Sequence, residues 1–102
     1  MFQNKDIQDT TYAFTLSDSL ETWVDAFMMD RKAQNMAKGT LHYYQFRLKE
    51  FVEYCSSREI KRITQIDATL IRGYLLYLTE RGHNPGGVHM YYRVTKAFLR
   101  WW

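Results

Sequence analysis

The chain has 102 residues, of which 46% are hydrophobic and 17% aromatic, and this supports one compact domain with a substantial apolar core. Its single cysteine, Cys55, excludes an internal disulfide and favours a reducing, cytoplasmic setting. No stretch approaches the roughly 18 apolar residues of a membrane-spanning helix, and no apolar run follows Lys5 as it would in a signal peptide.

The net charge of +3 is unevenly distributed along the chain. Residues 1–37 carry three Lys or Arg against six acids, whereas residues 38–66 carry six against three and residues 67–102 carry five against two. The positive charge therefore lies in the last two thirds of the sequence. Such an asymmetry favours a nucleic-acid partner.

The N-terminal part predicts an arm followed by an amphipathic helix. Residues 1–14 show no steady hydrophobic period, which indicates a flexible N-terminal arm. A first helix is predicted from Thr15 to about Arg31, because Thr15 and Asp18 have the spacing of a capping box. One face of this helix is apolar and the opposite face is acidic. The apolar face consists of Leu16, Leu20, Trp23, Val24 and Phe27, and the acidic face of Asp18, Glu21 and Asp25.

A second helix is predicted from about Lys38 to Arg58. Its core face is accompanied by a strip that combines a hydroxyl, phenols and guanidiniums, which are groups that commonly hold phosphate oxygens. A solvated helix face explains the same strip, and for this helix alone that is the simpler interpretation. The core face consists of Leu41, Tyr44, Leu48, Phe51, Val52 and Cys55, and the second strip of Thr40, Tyr43, Arg47, Tyr54 and Arg58.

A connector over residues 56–66 leads to a third helix with clear boundary signals. Asp67 is placed to cap a helix over residues 68–81, and Gly82 fits the left-handed position that ends a helix. The connector is expected to be held to the core by its isoleucines. These are Ile60, Ile63 and Ile66, and the buried face of the third helix consists of Leu70, Ile71, Tyr74, Leu75 and Leu78.

A fourth helix is predicted to begin at Asn84-Pro85 and to continue to Trp102, with no acid anywhere in this stretch. It is apolar around most of its circumference, which is typical of a mostly buried helix. One narrow basic strip remains and is expected to face a polyanion. The apolar residues are Val88, Tyr91, Thr95, Phe98, Leu99 and Trp102, with Met90, Val94, Ala97 and Trp101 beside them; the basic strip is His89, Arg93, Lys96 and Arg100.

No segment alternates apolar and polar residues, so the prediction is an all-α fold of four helices. The sequence contains no CxxC, HExxH or Gly-rich phosphate loop, and we predict no metal, no cofactor and no catalytic residue. An α-helix fits the major groove of B-DNA, and Lys or Arg side chains bind its phosphates. The first candidates for such contacts are Lys38, Arg47, Arg93, Lys96 and Arg100.

The order and spacing of several short motifs resemble a known domain. The motifs are Gly39-Thr40-Leu41-x-x-Tyr44-x-x-x-Leu48-x-x-Phe51, Tyr77-Leu78-x-x-Arg81-Gly82 and Asn84-Pro85-Gly86-Gly87-Val88. They resemble the core-binding domain of tyrosine recombinases, the phage-integrase and Xer-like family, which is also called the SAM-like integrase N-terminal domain. The resemblance covers residues 15–102 and implies a compact four-helix SAM-like bundle.

The resemblance also implies where DNA binds. In that family the second and fourth helices approach the major groove near the strand-exchange site. Thr40, Tyr44 and Arg47 match the motif of the second helix. Gly87 and Lys96 stand at fourth-helix positions that usually hold Thr and Arg, and the backbone N–H of Gly87 is expected to replace the missing hydroxyl at the helix N-terminus.

Three partners follow from the resemblance: double-stranded DNA, a catalytic domain of the same polypeptide, and other recombinase protomers on the DNA. The parent protein would be a tyrosine-type DNA breaking-rejoining enzyme, whereas this chain would not be an enzyme itself. The sequence stops at Arg100-Trp101-Trp102, within an apolar pattern, and we therefore expect it to be a piece of a longer recombinase. The acidic first helix is expected to face protein.

Two other functions are compatible with the pattern. The first is a helical protein-interaction module, in which the acidic first helix meets a basic surface of another copy. The second is a helix-turn-helix regulator, in which residues 82–84 form the turn and the last helix reads the DNA.

Overall fold

The computed structural model describes residues 18–102, which form four α-helices joined by short connections. Within this range there is no β-strand, only an isolated bridge between Ser19 and Arg62. The all-α prediction is confirmed, whereas the predicted arm over residues 1–14 lies outside the described residues. The helices are α1 (Leu20–Ala33), α2 (Lys38–Ser57), α3 (Ala68–Glu80) and α4 (Pro85–Trp101), and a 3-10 turn (Ile63–Gln65) precedes α3.

The start of α1 differs from the prediction. Its N-cap is Ser19, whose hydroxyl oxygen accepts a hydrogen bond from the backbone N–H of Thr22 at 3.3 Å. Asp18 stays outside the helix, because its carbonyl oxygen accepts a bond from the backbone N–H of Ile63 at 2.7 Å. The predicted helix from Thr15 to about Arg31 is therefore not continuous, since Ser19 has an extended backbone and α1 begins at Leu20. Thr15 and Leu16 themselves lie outside the described residues.

The boundary signals of α3 and α4 are confirmed. A carboxylate oxygen of Asp67 accepts a hydrogen bond from the backbone N–H of Leu70 at 2.8 Å and caps α3. Gly82 follows α3 with a φ of 98°, a conformation that favours glycine. Asn84 then caps α4, which begins with Pro85. These signals work because each depends only on residues a few positions apart.

The core lies where α4 packs against each of the other three helices. The Phe27 ring of α1 meets the rings of Phe98 and Trp101, with centroid distances of 5.6 and 5.4 Å. On the other side, the Tyr74 ring of α3 lies 5.1 Å from the Phe51 ring of α2. The Phe27 and Tyr44 rings, with centroids 5.9 Å apart, connect these two groups, so aromatic side chains join all four helices into one core. Its fully buried large side chains include Leu20, Phe27, Leu48, Phe51, Ile63, Tyr74, Leu78, Val94 and Phe98.

Tyr54 belongs to the core, although its helical spacing placed it on the polar strip of the second helix. It is 5% exposed, and its ring lies 5.2 Å from the Tyr74 ring. Gly73 on α3 makes this possible, because a Cβ atom there would lie only 2.9 Å from the Tyr54 hydroxyl oxygen. The absence of a side chain at Gly73 therefore lets α2 bury a tyrosine against α3.

The buried stripe of α4 is narrower than predicted. Tyr91, Val94, Thr95 and Phe98 are buried, whereas Met90 is 39% and Trp102 50% exposed. The stripe runs along the line where the two predicted apolar strips meet. None of the helices within residues 18–102 is long and apolar enough to cross a membrane.

Candidate nucleic-acid interface

An open groove runs between the N-terminal half of α2 and the middle of α4. Thr40, Tyr43 and Tyr44 are half-buried along one side, and Arg93 is exposed on the other. Four of the ten candidate binding residues predicted from the sequence therefore lie together. The lining residues are Gly39, Thr40, Tyr43, Tyr44, Arg93, Val94 and Ala97.

Arg47 is held against aromatic rings next to this groove. Its guanidinium carbon lies 4.1 Å from the centre of the Tyr43 ring and 5.2 Å from that of Tyr91. Its Nη1 donates a long hydrogen bond of 3.4 Å to the Tyr43 carbonyl oxygen, and its buried Nε has no partner among the described residues. A guanidinium in this position links α2 to α4, whereas the sequence pattern had suggested a side chain free to reach phosphate.

The N-terminus of α2 opens onto the same groove. Its N-cap is Ala37, which offers no side-chain acceptor to the backbone N–H groups of the first turn. Such a helix end carries a partial positive charge. Gly39 and Thr40 of this turn line the groove, and the exposed Lys38 precedes them. The groove therefore combines a helix dipole, a hydroxyl and cations, which are all features that favour an anion.

The predicted basic strip of α4 lies on the surface. His89, Arg93, Lys96 and Arg100 are all exposed, and α4 contains no acid. Within residues 18–102 the ion pairs join other residues: Arg31 with Asp30, Arg62 with Asp18, and Arg81 with Glu50. The cations of α4 are therefore not neutralised by carboxylates in the described part of the chain.

This strip forms a crest between two grooves. Arg93 faces the groove shared with α2, whereas Lys96 and Arg100 line a second groove shared with α3. The Lys96 ammonium lies 5.7 Å from the centre of the Tyr92 ring, which also lines the second groove. His89 borders a separate hollow near the start of α4. The four predicted residues thus share one crest but face different sides of it.

Arg72 of α3 also lines the second groove, opposite Lys96 and Arg100. It was not among the residues predicted from the sequence, although it is the only cation between Ala68 and Glu80. A single cation in a helix whose only other charged residue is the terminal Glu80 is the signal that could have identified it. Its addition brings three exposed cations to the rim of a groove whose floor includes Ile71 and Leu75.

The backbone N–H of Gly87, which was expected to bind phosphate, already has a partner within the chain. Its backbone N–H donates a hydrogen bond of 2.8 Å to the side-chain oxygen of Asn84. The N-cap therefore already occupies the donor that was expected to bind a phosphate. An anion at this position would compete with the Asn84 side chain that defines the start of α4.

The chemistry of the two grooves suits a polyanion. Guanidinium and ammonium groups, hydroxyls and a positive helix end are the groups that proteins direct at phosphate oxygens. No group of three or more His, Cys, Asp or Glu that could hold a metal ion occurs within residues 18–102.

Comparison with known proteins agrees with this description. A family model for the phage integrase SAM-like domain matches residues 19–101, which is nearly the whole described part of the chain. No curated protein and no solved structure matches the sequence. The family match covers all four helices and both grooves, and the chain therefore belongs to the phage integrase SAM-like domain family.

Proposed function

We propose that this chain is the DNA-binding domain of a site-specific recombinase, and that it clamps duplex DNA at the strand-exchange site. The SAM-like domain is the non-catalytic N-terminal domain of integrases. In this proposal the DNA is cut and rejoined by a separate catalytic domain of the same polypeptide. The family supports the general role, and the surface of α4 supports DNA as the ligand.

The observation that carries the proposal is the basic crest of α4. Its Arg and Lys side chains extend from Arg93 to Arg100, which is about 10 Å along the axis at the rise of an α-helix. This length is close to the width of the B-DNA major groove, which is about 12 Å. The long side chains of Arg93 and Arg100 are therefore spaced to reach phosphates on both sides of one groove.

The residues of the site divide into phosphate ligands and supporting groups. Arg93, Lys96 and Arg100 bind phosphates directly because they are exposed and have no carboxylate partner in the described chain. Lys38 at the start of α2 adds a further cation. The hydroxyls of Thr40, Tyr43 and Tyr44 orient the backbone of the duplex, and Arg47 keeps α2 and α4 in register.

The acidic surface of α1 is proposed to contact protein, either the catalytic domain or another recombinase protomer. Glu21 and Asp25 of α1 are exposed beside Met29, which is 59% exposed. Asp18 lies outside α1 and faces the Arg62 side chain at 3.7 Å. Carboxylates next to an exposed apolar side chain fit a protein surface better than they fit DNA. Stable oligomers in light scattering without any DNA binding would favour a protein-interaction module instead.

Titration of a labelled duplex of about 20 base pairs tests the proposal. We expect weak, largely sequence-independent binding, with a Kd on the order of 10⁻⁴ to 10⁻⁶ M at physiological salt. With three or four phosphate contacts, raising the salt from 50 to 200 mM should weaken binding about 40- to 150-fold, because counterions are released on binding. Binding that is undetectable, or that does not respond to salt, would contradict the proposal.

A further inference from the structure

We propose that the preferred ligand is duplex DNA with an unstacked step, and that the side chains of His42 and Phe46 stack on the exposed base. The inference rests on the proposed function and adds the geometry of the DNA that is recognised. It concerns a part of α2 that the phosphate contacts do not use.

An exposed aromatic pair carries the inference. Phe46 is 53% exposed on the surface of α2. The rings of His42 and Phe46 are stacked, with a centroid distance of 6.4 Å and an angle of 25° between their planes. The Arg47 guanidinium carbon lies 5.9 Å from the centre of the Phe46 ring. The phenyl ring is therefore exposed, and flanked by an imidazole and a cation.

The pair lies next to the proposed DNA surface. Tyr43, which lines the groove between α2 and α4, precedes Phe46 by one helical turn. Met90 occupies a corresponding place on α4, one turn before Arg93, and it is 39% exposed. Phe46 and Met90 thus each lie one helical turn from a residue that lines the groove, on the two helices that border it. Phenylalanine and methionine are among the side chains that DNA-bending proteins insert between base pairs.

Stacking is the chemistry that distinguishes this contact from those of the cations. Arg93 and Lys96 bind the phosphate backbone, which matched and distorted duplexes share. A phenyl ring gains a partner only when a base exposes its face. A base stacked on an aromatic side chain strengthens binding by a factor on the order of 5 to 150, with little dependence on its identity.

The test compares a matched duplex with one of equal length that carries two unpaired nucleotides in its centre. The full chain should bind the bulged duplex at least about fivefold more tightly. Phe46→Ala should abolish this preference while changing affinity for the matched duplex by less than about twofold. Phe46→Trp should preserve the preference, because indole stacks as well as phenyl does. Leu76→Ala is the matched control, since Leu76 is 64% exposed on α3 and lies outside both grooves.

The outcomes distinguish a failure of the stacking inference from a failure of the proposed DNA-binding function. Equal affinity of the unmodified chain for both duplexes, or a preference that survives Phe46→Ala, would overturn the stacking inference and leave the proposed function intact. Absence of binding to either duplex would instead contradict the proposed function. Far-UV circular dichroism of each variant confirms that its helices have formed.

Discussion

The guanidinium carbon of Arg47 on α2 lies 5.2 Å from the centre of the Tyr91 ring on α4. Tyr91 is 6% exposed, so this contact reaches into the core from the edge of the proposed DNA surface. Arg47 therefore has a structural role in addition to its charge. It fixes the relative position of the two helices that border the groove.

Replacing Arg47 with alanine should lower the free energy of unfolding by about 1–3 kcal/mol. The substitution removes partly desolvated cation–π contacts and the packing of the aliphatic stem. Arg93→Ala is the comparison, and it should change stability by less than about 0.5 kcal/mol because Arg93 is exposed. Urea denaturation measures both values. Equal losses for the two variants would contradict the structural role of Arg47.

The close approach of Tyr54 to Gly73 predicts that Gly73→Ala lowers the free energy of unfolding, which is opposite to the usual effect of this substitution in a helix. Gly→Ala within a helix ordinarily stabilises by about 1 kcal/mol. At Gly73 the new Cβ would lie 2.9 Å from the hydroxyl oxygen of the buried Tyr54, so Gly73→Ala should destabilise the protein by about 1 kcal/mol. In a Tyr54→Phe background the same substitution should become stabilising. A double-mutant cycle of unfolding free energies measures this, and the same sign in both backgrounds would refute the steric explanation.

Stability should fall as the pH rises above about 9. Cys55 is fully buried, and burial raises the pKa of its thiol to about 12. Burial also raises the pKa of Tyr74, whose hydroxyl has no hydrogen-bond partner among the described residues. Both groups ionise more readily in the unfolded chain. Their contribution to the free energy of unfolding is therefore complete at pH values below their pKa values in the unfolded chain. It is lost as the pH rises towards their pKa values in the folded protein.

For Cys55 the decrease should approach about 1.4 kcal/mol per pH unit between pH 9 and pH 12, with Tyr74 adding to it above about pH 10. Unfolding free energies at several pH values measure this slope. Cys55→Ala should make the slope shallower, whatever its effect on stability at neutral pH. A slope that is unchanged in Cys55→Ala would show that the thiol does not cause the decrease.

Local signals in the sequence predicted most of the fold. Asp67, Gly82 and Asn84 mark helix boundaries through hydrogen bonds and backbone conformations that involve only neighbouring residues. The start of α1 was mispredicted, because Asp18 pairs with Ile63, which is far away in sequence. Tyr54 was misplaced for a similar reason, since its burial depends on Gly73 of another helix.

The features of the candidate site that belong to a single segment could likewise be predicted from the sequence, whereas those that depend on helix packing could not. The basic strip of α4 could be recognised because helical spacing and the absence of acids are properties of one segment. Its division between two grooves depends on where α2 and α3 pack, and the same packing brings Arg72 opposite Lys96. Helical spacing assigned Arg47 to the strip that contains Thr40 and Tyr43, but its contact with Tyr91 required the tertiary structure.

Charge reversal on the crest of α4 tests the central claim most directly. Arg93→Glu with Lys96→Glu changes two exposed cations that face the two grooves. Lys49→Glu with Lys61→Glu is the matched control, because both residues are exposed and line neither groove. Each pair of substitutions lowers the formal net charge by four, from +3 to −1.

The measurement is the affinity for a labelled duplex at low salt, with far-UV circular dichroism to verify helicity. We predict that the α4 variant loses detectable binding with its helicity intact, whereas the control keeps its affinity within about tenfold, because only long-range attraction is reduced. Binding that survives reversal of Arg93 and Lys96, or an equal loss in both variants, would contradict the claim that α4 presents the DNA-binding surface.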